Sequence, residues 1–238
     1  MKEILIKANE QQLKHGANLG WVFPLNLPYP EYKRIVSLHE ESPDILDRYF
    51  IGFFSSNFEG NIKTPILKYS LSIPEYLKTL LNECFSSYSN NHYQICVPAL
   101  FAVIEGLLVD LSNNGDRKNT RYKQGISNYI ESSNIKVEVM PLLSLYHFLE
   151  LAFTPSDFNG VEVDVINRHW SQHGRYLYDL TNKAPLQLFN AIALILFTHD
   201  FLKNHEWGEK LSEDGSVMIA PKSQLDAINV TENSIVSY

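Results

Sequence analysis

The sequence predicts an all-α protein: a helix bundle with an N-terminal helical and extended extension and a short loose C-terminal tail. Apolar residues recur at three- and four-residue intervals through most of the 238 positions, the period of one helix face. A composition of 45% hydrophobic and 20% charged residues is that of a soluble globular chain able to bury a sizeable core. Eleven Gly and eleven Pro are near average usage and exclude collagen-like and low-complexity classes.

In chain order, residues 2–19 read as a weak amphipathic helix, with Ile4, Leu5, Ala8 and Leu13 at mixed spacings. Three prolines, Pro24, Pro28 and Pro30, then forbid a helix over 20–30. The apolar content there predicts a strap packed on the body. Residues 31–39 and 44–57 read as two short helices, the second opened by Ser42, Pro43 and Asp44. From Pro74 the signal strengthens: Leu77, Leu80, Leu81, Cys84 and Phe85 form a complete buried stripe on a helix ending near Ser89. Asn90 and Asn91 break it. The next helix, about 92–112, is apolar almost all round except for Glu105 and Asp110, and is expected at the centre. A turn at 113–116, a polar helix at about 120–132 and an apolar helix at about 137–153 follow. The last strong helix is 184–204, with Thr181 or Asn182 as cap and Pro185 in its first turn. Beyond it the chain turns polar, with scattered Val and Ile, and reads as a loose tail with at most a short hairpin. The expected organisation is therefore 1–73 as an extension packed on the bundle, 74–204 as the helical domain, and 205–238 as the tail.

Charge and cysteine content narrow the function. A net charge of −7 argues against a general electrostatic binder of nucleic acid, without excluding a local basic site. Two cysteines, Cys84 and Cys96, cannot build a disulfide framework, and no CxxC or Cys/His cluster has zinc spacing. They are expected to be buried and reduced. The N-terminal residues lack the apolar core of a signal peptide. The most apolar run, 191–197, is far shorter than the roughly 20 residues of a membrane span. A soluble, cytoplasmic protein without membrane contact is expected. Phosphate-cradling Gly-rich loops, GxSxG and recognisable carboxylate pairs are missing, which leaves ATPase, Rossmann oxidoreductase and serine-hydrolase readings without support.

The most unusual cluster is Asp164-Val165-Ile166-Asn167-Arg168-His169-Trp170-Ser171-Gln172-His173-Gly174-Arg175. Three readings compete for it. His169 and His173, at i and i+4, have the spacing of a helical zinc pair, but Trp170 stands where a zincin has Glu and no third ligand is placed. Alternatively, these are polar residues at a helix end, with Gly174 as the stop and Arg175 near the negative end of the dipole. The third reading is a metal-independent phosphodiester site. An imidazole can take the proton of a ribose 2′-hydroxyl or protonate the leaving 5′-oxygen. A guanidinium can clamp the phosphate and stabilise its added charge. Arg168 and His173 lie about 140° apart on an ideal helix, so a working site needs them at a helix start or kink, or drawn from two subunits.

Arg168-His169-Trp170-Ser171-Gln172-His173 resembles the R-x4-6-H motif of the HEPN superfamily. His169 stands in the polar position that follows the Arg in that family, and Asn167 and Gly174 flank the motif as in many bacterial members. The order of elements is similar too: an apolar helix carrying Glu105 comes first, then the motif, then a closing apolar helix. The resemblance spans about 74–204. It implies a HEPN-like all-α bundle, commonly a homodimer whose two motifs face each other across the interface. It further implies a metal-independent endoribonuclease, without cofactor, of the toxin, abortive-infection or phage-defence kind, in which RNA is cleaved by 2′-hydroxyl attack. An antitoxin or a nucleotidyltransferase accompanies some members. The alternative within the same resemblance is a non-catalytic interaction or nucleotide-binding module that works with a partner protein.

On that basis His173 is the general acid or base and Arg168 the phosphate clamp. Asn167 and His169 are supporting polar groups. A lone carboxylate in so apolar a helix is costly without a partner, and Glu105 is expected either to pair with Arg168 or to orient His173, or else to be a structural ion pair. The basic run Arg117, Lys118, Arg121, Tyr122 and Lys123, with Arg175, is a weaker candidate RNA path, Tyr122 stacking on a base. Its bland counterpart is a solvated loop.

Overall fold

The computed structural model describes residues 2–38, 42, 44–70, 73–113, 139–155, 166–174, 181–204, 207–211 and 217–221; for 2–9, 110–113, 139, 199–204, 207–211 and 217–221 it describes the backbone alone. The fold is an all-α bundle. Its helices are α1 (Lys2–Asn18), α2 (Tyr29–Leu38), α3 (Ile45–Ser56), α4 (Thr64–Tyr69), α5 (Glu75–Ser89), α6 (Tyr93–Asn113), α7 (Val139–Ala152), α8 (Arg168–Gln172) and α9 (Lys183–Asn204). A π-helical turn, Glu59–Lys63, leads into α4. The polar helix expected at 120–132 lies outside the described residues.

The chain forms two compact units, residues 1–197 and 198–238. The second carries an antiparallel hairpin, β1 (Trp207–Leu211) with β2 (Val217–Pro221), in which Glu209 pairs with Ile219. The first unit holds the core.

α5 buries Leu77, Leu81, Cys84, Phe85 and Tyr88 along one stripe, while Leu80 of the expected stripe is half-buried. α6 is central: Val97, Leu100, Phe101, Val103, Ile104, Leu107 and Leu108 are all buried. Gly106 lets it approach α5, since a β-carbon there would press on the Leu77 side chain. Both cysteines are buried and unbonded to each other, and the Cys96 thiol reaches the Cys84 carbonyl at 3.4 Å. Hydrogen bonding to Cys84 and burial push the Cys96 thiol up, so it stays protonated.

The N-terminal residues are stitched into the same unit by side chains that satisfy the strap's backbone. α1 ends in a Schellman turn: Trp21 N–H bonds to Gly16 O at 3.0 Å and Gly20 N–H to Ala17 O at 2.9 Å. Gly20 has φ +88, and a β-carbon there would run into the Gln187 amide. Extended backbone cannot bond to itself, so partners must come from elsewhere. Asn190 Nδ2 donates to Val22 O (2.8 Å), Phe23 N–H donates to Ser144 Oγ (3.1 Å), and Gln187 Nε2 donates to Leu19 O (3.0 Å). Trp21 stacks on Phe50 and Phe54 at 5.2 and 6.0 Å, and its Nε1–H donates to Asp47 Oδ1 at 2.7 Å. The other oxygen of Asp47 takes Lys183 Nζ at 2.7 Å.

Candidate functional site

α8 is a helix of five residues, too short to stand alone, and its neighbours fix it. Asn167, at φ −124 and ψ 128, is its N-cap. The Asn167 Oδ1 accepts from His169 N–H (2.9 Å) and Trp170 N–H (3.2 Å). Its Nδ2 donates to Thr154 O (3.0 Å) and Leu151 O (3.3 Å), at the end of α7. One amide, 2% exposed, thus caps the start of α8 and the last carbonyls of α7 together. Ile166, Trp170 and Ser171 are buried around it. The helix stops at His173, and Gly174 takes φ +66, donating its N–H to Ser171 O at 3.1 Å.

This anchoring leaves Gln172 and His173 exposed and Arg168 and His169 half-buried. Arg168, the first residue of α8, forms an ion pair with Glu105 of α6; their side chains are 30% and 21% exposed. The carboxylate that stood out in an apolar helix therefore has its partner. A guanidinium has five N–H donors, more than one carboxylate uses. His173 is exposed at the far end, His169 is half-buried, and their rings lie 4.9 Å apart at 54°. Arg168 and His173 bracket the helix, about 7.5 Å apart along its axis by ideal rise.

The structure therefore brings Arg168 to Glu105 and His169 to His173, and gives Asn167 a buried capping role. Among the described residues no three His, Cys, Asp or Glu side chains converge as metal ligands. Arg117, Lys118, Arg121, Tyr122, Lys123 and Arg175 lie outside the described residues. No described helix is long and apolar enough to cross a membrane.

Two features escape the sequence reading. One is the double cap by Asn167, whose only trace in sequence is an Asn before a short polar segment, a common N-cap choice. The other is His147, buried on α7 with its ring nitrogens 3.8 Å from Glu10 Oε1 and 3.7 Å from Glu150 Oε2. Burial lowers its pKa, against the pull of the two carboxylates. Nothing in the spacing of α7 marks it.

Comparison with protein-family models, with curated proteins and with solved structures finds no match to this chain.

Proposed function

We propose that the protein is a metal-independent endoribonuclease of the HEPN type, acting in a bacterial defence or toxin role as a cytoplasmic homodimer. The observation that carries this reading is the pairing of Arg168 with Glu105 at one end of α8 while His173 stands exposed at the other. Arg168 clamps the scissile phosphate and stabilises the charge gained as the 2′-oxygen attacks. His173 moves the proton, taking it from the 2′-hydroxyl or giving it to the departing 5′-oxygen. The products are a 2′,3′-cyclic phosphate and a 5′-hydroxyl. Glu105 positions the guanidinium, and Asn167 positions the whole helix.

The two-copy reading is supported by the side of α6 that carries Glu105. Ile95 on that side is 70% exposed, and Ala102, two turns further along and nearest the ion pair, is exposed as well. A second copy on this side would bring a second α8 close to the first.

The test is incubation of the full chain with total RNA in EDTA, beside folded His173→Ala and Arg168→Ala variants. The reading predicts cleavage with cyclic-phosphate ends by the parent and a loss of about 100-fold or more in each variant. Cleavage that survives in both variants, or no cleavage by the parent, contradicts it.

A further inference from the structure

A concave site lies between the strap, α4 and the start of α7. Its volume is about 520 Å³, within the range of small-molecule sites. Aromatic residues line it as two edge-to-face pairs: Phe23 with Tyr29 at 5.6 Å, and Tyr69 with Phe197 at 5.4 Å. Pro28, Pro65, Met140 and Pro141 complete an apolar wall.

One charged residue stands among the described lining residues, Lys68, and no Asp or Glu does. Its ammonium lies 4.9 Å from the centroid of the Tyr69 ring, so the charge sits against the aromatic wall. The Tyr29 hydroxyl is neutral near pH 7 and supplies no competing charge, and burial raises its pKa further, to about 12. A described lining with one cation and no carboxylate repels a cationic occupant and attracts an anionic one.

We propose that this cavity binds a small planar aromatic molecule bearing one anionic group, its ring against the aromatic wall and its charge at Lys68. The ring gains burial and edge contacts with the existing pairs. The anion gains a Coulomb partner at the edge of an apolar wall, where attraction is stronger than in bulk water. The site is independent of the ribonuclease reading, and failure of one leaves the other standing.

The probe is 1-naphthalenesulfonate, titrated calorimetrically into the full chain. Its comparators are 1-naphthylmethylammonium, which keeps the ring and reverses the charge, and methanesulfonate, which keeps the anion alone. Saturable binding at one per chain is expected for the sulfonated ring, with both comparators at least tenfold weaker. Lys68→Met is expected to weaken the sulfonated ring about tenfold, while Lys33→Met, on the exposed face of α2, leaves it unchanged. The substituted lysines are both exposed, so neither change threatens folding. Equal affinity for the cationic ring, indifference to Lys68→Met, or no saturable binding at millimolar probe overturns the proposal.

Discussion

The strap around Trp21 and the short helix α8 solve the same problem and differ in what they leave over. Both are segments too short or too extended to satisfy their own backbone, and both are held by side-chain amides. In the strap, Trp21 turns inward to Asp47, Asn190 to Val22 and Gln187 to Leu19, while the Asp47–Lys183 pair is part-exposed, as Arg168–Glu105 is. In α8 the inward polar group is Asn167, while Arg168 is half-exposed on Glu105 and His173 faces solvent. Ordering polar groups at a surface costs conformational freedom that buried contacts do not repay. The strap's polar groups all go to fixed partners within the fold, whereas α8 ends in a histidine exposed to solvent.

That contrast is broken most severely at the strap. Trp21→Ala removes a fully buried indole with two stacked partners and its hydrogen bond to Asp47. A loss of about 3–5 kcal/mol in unfolding free energy is expected by denaturant titration. By the same measurement, His173→Ala is expected within about 0.5 kcal/mol of the parent, as for an exposed site. A large loss there would make His173 structural and erase the difference between the two regions.

Asn167→Ala sharpens the comparison at intermediate size. It removes a cap and uncovers carbonyls at the end of α7, and is expected to cost about 2 kcal/mol. On the proposed function it also lowers RNA cleavage, through misplacement of Arg168 and His173. Asn167→Asp keeps the N-cap oxygen but sets a buried carboxylate oxygen against the Thr154 and Leu151 carbonyls, and is expected to be at least as destabilising as Ala. If Asn167→Ala melts like the parent, α8 is not held in the way described.

The smallest effect is the pH dependence of stability, read at His147. The groups facing it are Glu10, Lys14 and Glu150, and burial holds its folded-state pKa below the ordinary 6.5. The unfolded chain therefore binds this proton more readily than the folded one. The contribution of His147 is complete above about pH 6.5 and declines as the pH falls below it. The Tm is expected to drop on acidification through that window, and His147→Gln to flatten the drop. A Tm that rises on acidification in the parent alone would reverse the sign.

Much of the helical frame is legible in the sequence because its stripes are long. Leu77, Leu81, Cys84 and Phe85 announce α5, and Pro98 does not stop a helix as apolar as α6. The cap before α9 is also legible in part: Asn182 stands there, but its amide donates to Ser55 Oγ and Tyr88 OH. The π-helical turn and α4 are not legible. The sequence pattern assigns no element to 58–73, where Gly60, Asn61 and Pro65 disfavour a helix, and helical form is held there by burial of Ile62 and Ile66 and by Asn61 Nδ2 bonded to Phe53 O. At the candidate site, the residue types are visible in one short stretch. The choice among Glu105's partners is not, because it depends on how two elements 63 positions apart in the chain approach each other.

In the proposed homodimer two α8 helices lie close together, so that Arg168 of one copy can serve with His173 of the other, and mixing two dead variants tests this directly. Arg168→Ala and His173→Ala chains would be unfolded and refolded together, then assayed on RNA in EDTA. In a mixed dimer one of the two sites is rebuilt from the intact His173 of one chain and the intact Arg168 of the other. Recovery of cleavage to about a quarter of the parent's rate is predicted, since about half the dimers are mixed and each carries one good site. A mixture as inactive as either variant alone would contradict the shared site.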